Sequence, residues 1–355
     1  MSIWTYLGRV WTSCAKKTPP SLSPSKTAPT GRRRTSTLSP RLKPGYELRL
    51  RSGTTVEMGP LTKVRELEAR ASATTSALRP ADAPAPRLQN WRELYRALPN
   101  AVLRSALFAV IGKGQRARLD GTTITSQAGI ALTYSGEQLD QSDLDLWATL
   151  LHLLRNHPLD QEFHTSIYAL LKGLGITDTG PSRTSLKHRL LRLSSCELSI
   201  RTASFVYEGN LIKADYLEGN KPLVLGLNPS IIGLFASDQF TLVHWGVRCM
   251  LSGSPLAQWL HGYYSTHAAP YPVRIDTLHK LSGSKTVSPS KFLQLLRRAL
   301  DRLALASAEH GQKFTYQIDG ELVSVNKRPS PSQERHISKR QNRTVTAGKP
   351  YRHSG

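Results

Sequence analysis

Basic side chains recur along two segments of the sequence that are predicted to be helices. The first segment, 182–193, contains no acid and has five such residues: Arg183, Lys187, His188, Arg189 and Arg192. The second segment adds a serine and a glutamine to its cations: Lys285, Ser290, Lys291, Gln294, Arg297 and Arg298. Guanidinium and ammonium groups bind phosphate oxygens, and arginine, lysine and glutamine also donate to base edges. These residue types indicate the binding of a polyanion, nucleic acid before an anionic membrane surface.

Position along the first helix suggests different roles for its cations. Arg183 lies near the N-terminal end, where a guanidinium group is best placed for a base edge and can bind guanine with two hydrogen bonds. Lys187 and Arg189 are candidates for a base or a phosphate, and Arg192 for a phosphate. A merely solvated helix face is an equally good interpretation of one such segment. Two of them, each placed between a short helix and a hairpin, favour DNA.

In the second segment, Lys291 and Gln294 fall in the N-terminal half of the helix and are the candidates for base contacts there. Each helix also needs an apolar side that packs on the rest of the protein. For the first helix this side is predicted to consist of Leu186, Leu190, Leu191 and Leu193. For the second it is predicted to consist of Phe292, Leu295, Leu296, Ala299 and Leu303.

Catalytic and metal-binding motifs are not found in the sequence. The candidate histidine pair, His261 and His267, is six residues apart, so a helix would point the two rings to different faces. The aspartates around Asp143 are explained by the favourable placement of acids at a helix N-terminus. The three cysteines are far apart without a Cys-x-x-Cys pair, which fits a reducing cytoplasm. We therefore expect no catalytic residue, no metal and no cofactor.

The basic segments must be positioned by short helices and strands, and these occur twice in one order. The first occurrence is predicted as a strand at 162–165, helices at 166–174 and 182–193, and strands at 197–202, 204–207 and 211–216. A tight turn is predicted at Glu208-Gly209-Asn210. The second occurrence is predicted as a strand at 271–275, helices at 276–281 and 288–305, and a hairpin of 313–318 with 321–326. Asp319-Gly320 supplies its turn, and Pro289 opens its long helix.

Helix, turn, helix and hairpin is the order of a winged helix-turn-helix. The sequence therefore predicts an α+β fold, mainly helical, with tandem winged helix-turn-helix domains and disordered basic tails. Further helices are predicted at 90–108, 142–155 and 255–267 from the spacing of their apolar residues.

The net charge of +23 is concentrated at the two ends of the chain, with +11 in 1–87, +6 in 88–327 and +6 in 328–355. The ends are also poor in residues that could form a core, which is typical of disorder. We predict a disordered basic region at 1–87, a first winged-helix domain at 88–220, a second at 221–327 and a disordered basic tail at 328–355. No apolar run is long enough to span a membrane, so no membrane partner is expected.

Several stretches, taken in their order along the chain, resemble the TrfA family of plasmid replication initiators. The matching stretches are 98–108, 132–139, 143–154, 227–236, 251–257, 267–273 and 278–283. Each is modest by itself, and their common order over about 90–310 makes the resemblance specific.

This resemblance implies a bacterial cytoplasmic protein with two winged-helix domains that bind direct repeats (iterons) in a plasmid origin. Such initiators help to open the adjacent AT-rich duplex and bring in the host replicative helicase, often together with the host initiator protein. The implied partners are double-stranded origin DNA, single-stranded DNA, these two host proteins and a second copy of the chain, because dimers can limit copy number. No nucleotide chemistry is implied.

Three other functions remain compatible with the residues. One is a winged-helix transcriptional regulator of plasmid or mobile-element genes. Another is a nicking enzyme with a diverged site. A third is a protein that coats RNA or DNA without sequence preference through its basic tails.

Overall fold

The computed structural model describes residues 85–112, 116–215, 223–236 and 238–338. Most of the predicted disordered region 1–87, and the end of the predicted tail from 339, lie outside these residues. The prediction of disorder over 328–355 is wrong for 331–338, which are helical. Gln333 holds this helix to the rest of the protein, because its side-chain amide donates to the carbonyl oxygen of Ser265 at 2.9 Å.

The described chain mixes helices and strands, as predicted. The helices are α1 (Asn100–Leu103), α2 (Gln141–Leu154), α3 (Ile167–Gly173), α4 (Gly180–Ser195), α5 (Trp245–Met250), α6 (Pro255–Ser265), α7 (Ile275–Ser282) and α8 (Pro289–Glu309). A 3-10 helix covers Pro229–Phe235. Within the described ranges, no helix combines the length and the apolar character needed to cross a membrane.

The strands are β1 (Tyr95–Pro99), β2 (Phe108–Ala109), β3 (Arg118–Thr123), β4 (Ile130–Glu137), β5 (Leu139–Asp140), β6 (Phe163–Thr165), β7 (Glu197–Thr202), β8 (Val206–Gly209), β9 (Lys213–Asp215), β10 (Leu223–Gly226), β11 (Phe240–His244), β12 (Val273–Arg274), β13 (Phe314–Asp319) and β14 (Leu322–Lys327). They form small sheets in the orders β1-β11, β2-β5, β3-β4-β7-β8, β6-β10-β9 and β12-β14-β13.

Two sets of elements share one order and one sheet arrangement. In the first set, β6 precedes α3 and α4, and β9 and β10 follow. In the second set, β12 precedes α7 and α8, and β13 and β14 follow. In each case the leading strand pairs with the last strand, which in turn pairs with the one before it. The structure thus contains the same strand–helix–helix–strand–strand arrangement twice.

The first set carries an inserted hairpin that differs from the prediction. The hairpin after α4 is β7–β8, with Arg201 opposite Val206, and it joins β3 and β4 in a separate sheet. Glu208 and Gly209 belong to β8, so the turn predicted at Glu208-Gly209-Asn210 is wrong. Local turn propensity misled here because pairing with β4, far away in the sequence, decides where this hairpin bends. The counterpart of β13–β14 is β9–β10, whose connection lies outside the described residues.

Buried side chains gather in two cores. The first contains residues from Leu88 to Trp245, and the second contains residues from Val247 to Val325. We call these stretches the first unit (88–245) and the second unit (247–325). The boundary predicted between 220 and 221 falls within the β9–β10 connection, and buried residues from Leu223 to Trp245 pack into the first core.

The predicted helix at 90–108 is wrong over most of its length. Tyr95–Pro99 is strand β1, which pairs antiparallel with β11, and helix is confined to the four residues of α1. Strand β1 is buried from Arg96 to Pro99. A short apolar run of this kind does not distinguish strand from helix, and the distant partner β11 decides between them.

Candidate nucleic-acid interface

Helix α4 begins at a polar cap and packs through three leucines. The hydroxyl of Thr179 accepts from the backbone N–H of Ser182 at 3.3 Å, which satisfies one of the free donors at the helix start. Leu186, Leu190 and Leu193 are buried and hold the helix on the first core. Leu191, predicted to be buried with them, is instead 54% exposed, four residues after Lys187 on the outward face.

The predicted cations of α4 do not all occupy the same surface. Arg183, Lys187 and His188 are exposed to solvent. Arg189 is half-buried and lines a crevice beside Leu171 and Leu186. These four positions keep the N-terminal half and middle of α4 basic.

Arg183 is bound by an aspartate that is not among the predicted site residues. Asp178 lies in the turn between α3 and α4, and its two carboxylate oxygens accept from Nε and Nη2 of Arg183 at 2.6 and 2.8 Å. The hydrogen bonds from Arg183 lower the pKa of Asp178. The available signal was the spacing of five residues between an acid and a base across a predicted turn, which by itself is too common to be specific.

Arg192 faces the protein, unlike the other cations of α4. Its side chain is 10% exposed, and Nη2 donates to Oδ1 of Asp143 at 2.8 Å. Asp143 is fully buried at the start of α2 and also accepts from Arg116 at 3.0 Å. Burial raises the pKa of Asp143, and its bonds with Arg192 and Arg116 oppose that shift. We therefore remove Arg192 from the candidate interface, since a phosphate would have to compete with a buried carboxylate for it.

Helix α8 follows the same construction with a longer body. The hydroxyl of Ser288 accepts from the backbone N–H of Lys291 at 3.4 Å, and Pro289 takes the first helical position, as predicted. Phe292, Leu296 and five further residues are buried against the second core. Leu295, predicted to be buried, is 37% exposed and lies between Lys291 and Arg298 on the outer face.

The predicted polar residues of the second segment are all exposed: Lys285, Ser290, Lys291, Gln294, Arg297 and Arg298. The hydroxyl of Ser290 lies 3.0 Å from that of Ser288, so it belongs to the helix cap. Among the described residues, Lys291, Arg297 and Arg298 form no ion pair. In the part of the chain that the structure describes, these three exposed cations therefore carry positive charge that no carboxylate contact offsets.

The tip of the β13–β14 hairpin carries both signs of charge. Gly320 has a φ of 53°, which the tight turn after Asp319 requires. Next to it, Glu321 accepts from Nη2 of Arg274 at 2.6 Å, and Asp276 accepts from Nε of the same arginine at 3.2 Å. Arg274 was not among the predicted site residues. Asp276 is its near neighbour in the sequence, whereas Glu321 comes next to it because β12 pairs with β14.

A buried arginine connects the two units. Arg248 in α5 is 1% exposed, and its Nε donates to Oδ1 of Asp145 in α2 at 2.5 Å. Its other nitrogens donate to the side-chain oxygen of Gln141 at 3.1 Å and to the carbonyl oxygen of Gln258 at 3.2 Å. Buried charges need such a full set of partners, so these bonds resist relative movement of α2, α5 and α6.

The described residues offer little support for a metal site or for a site built on His261. No group of three or more His, Cys, Asp or Glu side chains in those ranges is arranged to hold a metal ion. His261 is buried in α6 rather than presented to solvent, and burial lowers its pKa to about 3. Its Nδ1 has no hydrogen-bond partner in the described part of the chain.

Comparison with known proteins supports one family. The TrfA protein family matches residues 84–311. A plasmid replication initiator protein TrfA of Escherichia coli is 28% identical over 225 residues, which is 60% of this chain and 58% of that relative. The match thus spans less than two thirds of the relative's length.

Two solved structures also show a similarity. Both contain domains 2 and 3 of RctB, with TM-scores of 0.43 and 0.41 and identities of 13% and 15%. The alignments cover 64% and 65% of this chain and 97% of each RctB chain. TM-scores at this level do not establish a common fold. The family match over residues 84–311 does establish the kinship: this chain belongs to the TrfA family.

Proposed function

We propose that this protein initiates plasmid replication in the bacterial cytoplasm by binding direct repeats in the origin. Membership of the TrfA family and the similarity to a plasmid replication initiator support this function. On this proposal the bound protein promotes opening of the adjacent duplex and recruits the host replicative helicase with the host initiator protein. It acts by binding and assembly, without a cofactor or a catalytic step. Single-stranded DNA and a second copy of the chain are further partners.

The proposed readers of the DNA are two winged helix-turn-helix domains, one in each unit. The observation that carries the proposal is the repeated arrangement, in which α4 and α8 each follow a short helix and precede a two-stranded hairpin. Both helices present exposed cations from their N-terminal halves. An α-helix of this kind fits the major groove, and its N-terminal residues reach base edges.

The exposed residues divide into proposed base and phosphate contacts. We assign Arg183 on α4, and Lys291 and Gln294 on α8, to base edges, because they lie in the N-terminal halves of the helices and have donors suited to base edges. The remaining positions are assigned to the sugar-phosphate backbone or to neighbouring bases: Lys187, His188, Arg189, Lys285, Ser290, Arg297 and Arg298. Phosphate contacts position a protein on the duplex, and base contacts give the sequence preference.

The junction around Arg248 supports the binding of a repeated site. Two recognition helices can read two segments of one duplex only when their separation matches the spacing along the DNA. The buried ion pair of Arg248 with Asp145 holds α2 of the first unit against α5 of the second. We infer that α4 and α8 bind DNA at a fixed separation, rather than as parts of two domains that move independently on a linker.

The proposal is tested by comparing cognate and scrambled DNA at one salt concentration. The purified full chain is titrated into a duplex that carries the direct repeats found beside its gene, and into a scrambled duplex of equal length and composition. We expect tighter binding to the repeats by at least about a thousandfold, the lower end of the usual margin for specific DNA binding. Equal affinity for both duplexes would contradict the proposal.

A second measurement separates an initiator from a regulator. The gene is supplied in trans to a plasmid that carries only the candidate origin and a selectable marker. An initiator supports replication of this plasmid, whereas a transcriptional regulator protects only a promoter and supports none.

A further inference from the structure

We propose that Asp178 is a positioning residue that holds Arg183 in the orientation for reading a guanine. This inference rests on the proposed function and names the base that α4 recognises. The two residues meet through two hydrogen bonds, 2.6 Å from Nε and 2.8 Å from Nη2, to separate oxygens of one carboxylate. Both are at the surface, with 54% of the Arg183 side chain exposed.

The geometry leaves one edge of the guanidinium group for a ligand. Arginine has five N–H donors in a planar fork, and Asp178 takes the edge formed by Nε and Nη2. The opposite edge, formed by Nη1 and the second hydrogen of Nη2, offers two parallel donors. Guanine presents two acceptors, O6 and N7, side by side in the major groove, and no other base does so. The free edge of Arg183 therefore matches guanine.

The backbone around Asp178 is itself held in place. Asp178 directly precedes Thr179, whose hydroxyl caps α4 and also lies 2.9 Å from the hydroxyl of Ser182. The backbone N–H of Arg183 donates to the carbonyl oxygen of Thr179 at 2.9 Å. The carboxylate and the guanidinium thus come from one short capped segment, which limits the positions that they can take relative to α4.

An acid at this place has opposite effects on affinity and on specificity. Its negative charge repels the phosphates of any duplex, so it weakens binding to all sequences. Its hydrogen bonds reduce the freedom of a long side chain before DNA arrives, which favours the one base that fits the restrained geometry. Exposed ion pairs contribute little to folding stability. If this pair served only stability, removing Asp178 would change neither the affinity for random duplex nor the preference for one base.

The experiment selects binding sites from a duplex library with a randomised segment, using the full-length protein and its variants at fixed salt. We expect wild-type protein to enrich a motif that contains a guanine which Arg183→Ala no longer selects. Arg183→Ala should lower the preference for that guanine about 5- to 150-fold. Asp178→Ala should lower preference at the same position about 3- to 10-fold, while it strengthens binding to random duplex.

Two further variants separate charge from orientation. Asp178→Asn keeps one oxygen acceptor and loses the charge, so we expect it to retain part of the guanine preference and to gain random-duplex affinity like Asp178→Ala. Glu208→Ala is the matched control, because Glu208 is another exposed acid bound to an exposed arginine, Arg201, at 2.9 Å. It lies on β8 outside the helix pair and should leave the motif unchanged.

Each failure has a different meaning. A wild-type protein that enriches no motif contradicts the proposed function. An unchanged motif with Arg183→Ala shows that Arg183 reads no base. If Arg183→Ala loses the guanine while Asp178→Ala keeps it at full strength, the role of Asp178 is overturned and the proposed function stands.

Discussion

The two units share an order of elements but differ in how their polar side chains are partnered. In the first unit, Arg183 is bound by Asp178 and Arg192 by Asp143, so two of the helix cations have their own carboxylates. In the second unit, Lys291, Arg297 and Arg298 have no ion pair among the described residues. Helix α4 of the first unit therefore carries two cations that carboxylates restrain, whereas α8 of the second unit carries three cations without an ion pair among the described residues.

The buried histidines show the same difference. In the first unit, the ring of His152 accepts from Trp91 at 3.0 Å on Nδ1 and lies 2.7 Å from Glu93 on Nε2. In the second unit, Nδ1 of His261 has no partner in the described chain. Burial is the first cause of a lowered pKa in both, to about 4 for His152 and about 3 for His261.

Two modules of similar topology can therefore present their cations to a ligand in different ways. Side chains held by partners have few orientations, and restricted orientation favours discrimination between bases. Cations without partners respond mainly to the field of the phosphates, which favours affinity for any duplex. We expect Arg183 of the first unit to contribute to specificity, and Arg297 and Arg298 of the second unit to contribute to the salt-dependent affinity.

The largest expected effect concerns stability and separates a buried cation from an exposed one. Arg192→Ala leaves the buried carboxylate of Asp143 with fewer partners and should lower the free energy of unfolding by about 3–5 kcal/mol. Arg298→Ala, an exposed position without an ion pair, should change it by less than about 0.5 kcal/mol. Urea unfolding of the full chain measures both. Equal losses of unfolding free energy in the two variants would contradict the difference in ion pairing between Arg192 and Arg298.

The next effect concerns DNA binding. Arg183→Ala should reduce discrimination between cognate and random duplex by about 1–3 kcal/mol. Arg298→Ala should weaken both duplexes together and reduce the log–log salt slope by about 0.9. Titrations at several salt concentrations distinguish the two patterns. Loss of discrimination with Arg298→Ala and uniform weakening with Arg183→Ala would reverse the division of roles.

A pH effect of intermediate size tests the histidines. The unfolded chain takes up a proton on His261 below its ordinary pKa of 6.5, and the folded chain does so only near 3. The free energy of unfolding should therefore fall as the pH drops below 6.5, by up to about 1.4 kcal/mol per pH unit for this group. His261→Phe should flatten this dependence, which urea unfolding at pH 7.5 and 5.0 measures.

His152→Phe is the comparison within the first unit. It removes the partner of the Trp91 indole N–H and of one carboxylate oxygen of Glu93, whose other oxygen stays paired with Arg155. The change should therefore cost about 1–3 kcal/mol already at pH 7.5. His261→Phe should cost less at that pH, because it removes an unsatisfied buried nitrogen. Parallel curves of unfolding free energy against pH for wild type and His261→Phe would show that protonation of His261 does not cause the pH dependence.

The smallest effect is expected at the inserted β7–β8 hairpin. Arg201 and Glu208 form an exposed ion pair, and water screens such pairs. Arg201→Ala should change the free energy of unfolding by less than about 1 kcal/mol and leave the salt slope for DNA unaltered. A change in that salt slope would indicate that this hairpin also contacts DNA.

Prediction from sequence succeeded where local signals agree with the fold. Asp140 caps α2 and forms reciprocal bonds with Asp143, and Ser288 with Pro289 starts α8, so these helices were recognisable from their own residues. The Asp319-Gly320 turn was equally local. Strand β1 and the β7–β8 hairpin were misjudged because their partners, β11 and β4, are distant in the sequence.

For the candidate site, the sequence alone determined which residue types and helices could contact DNA, because helical spacing and charge are local properties. Which of the cations face outward depends on tertiary packing. It turned Arg192 toward Asp143, paired Arg183 with Asp178 and exposed Leu191 and Leu295. The reason is physical: a side chain's surroundings depend on which distant elements pack against its helix, and helical periodicity specifies only the face that the side chain occupies.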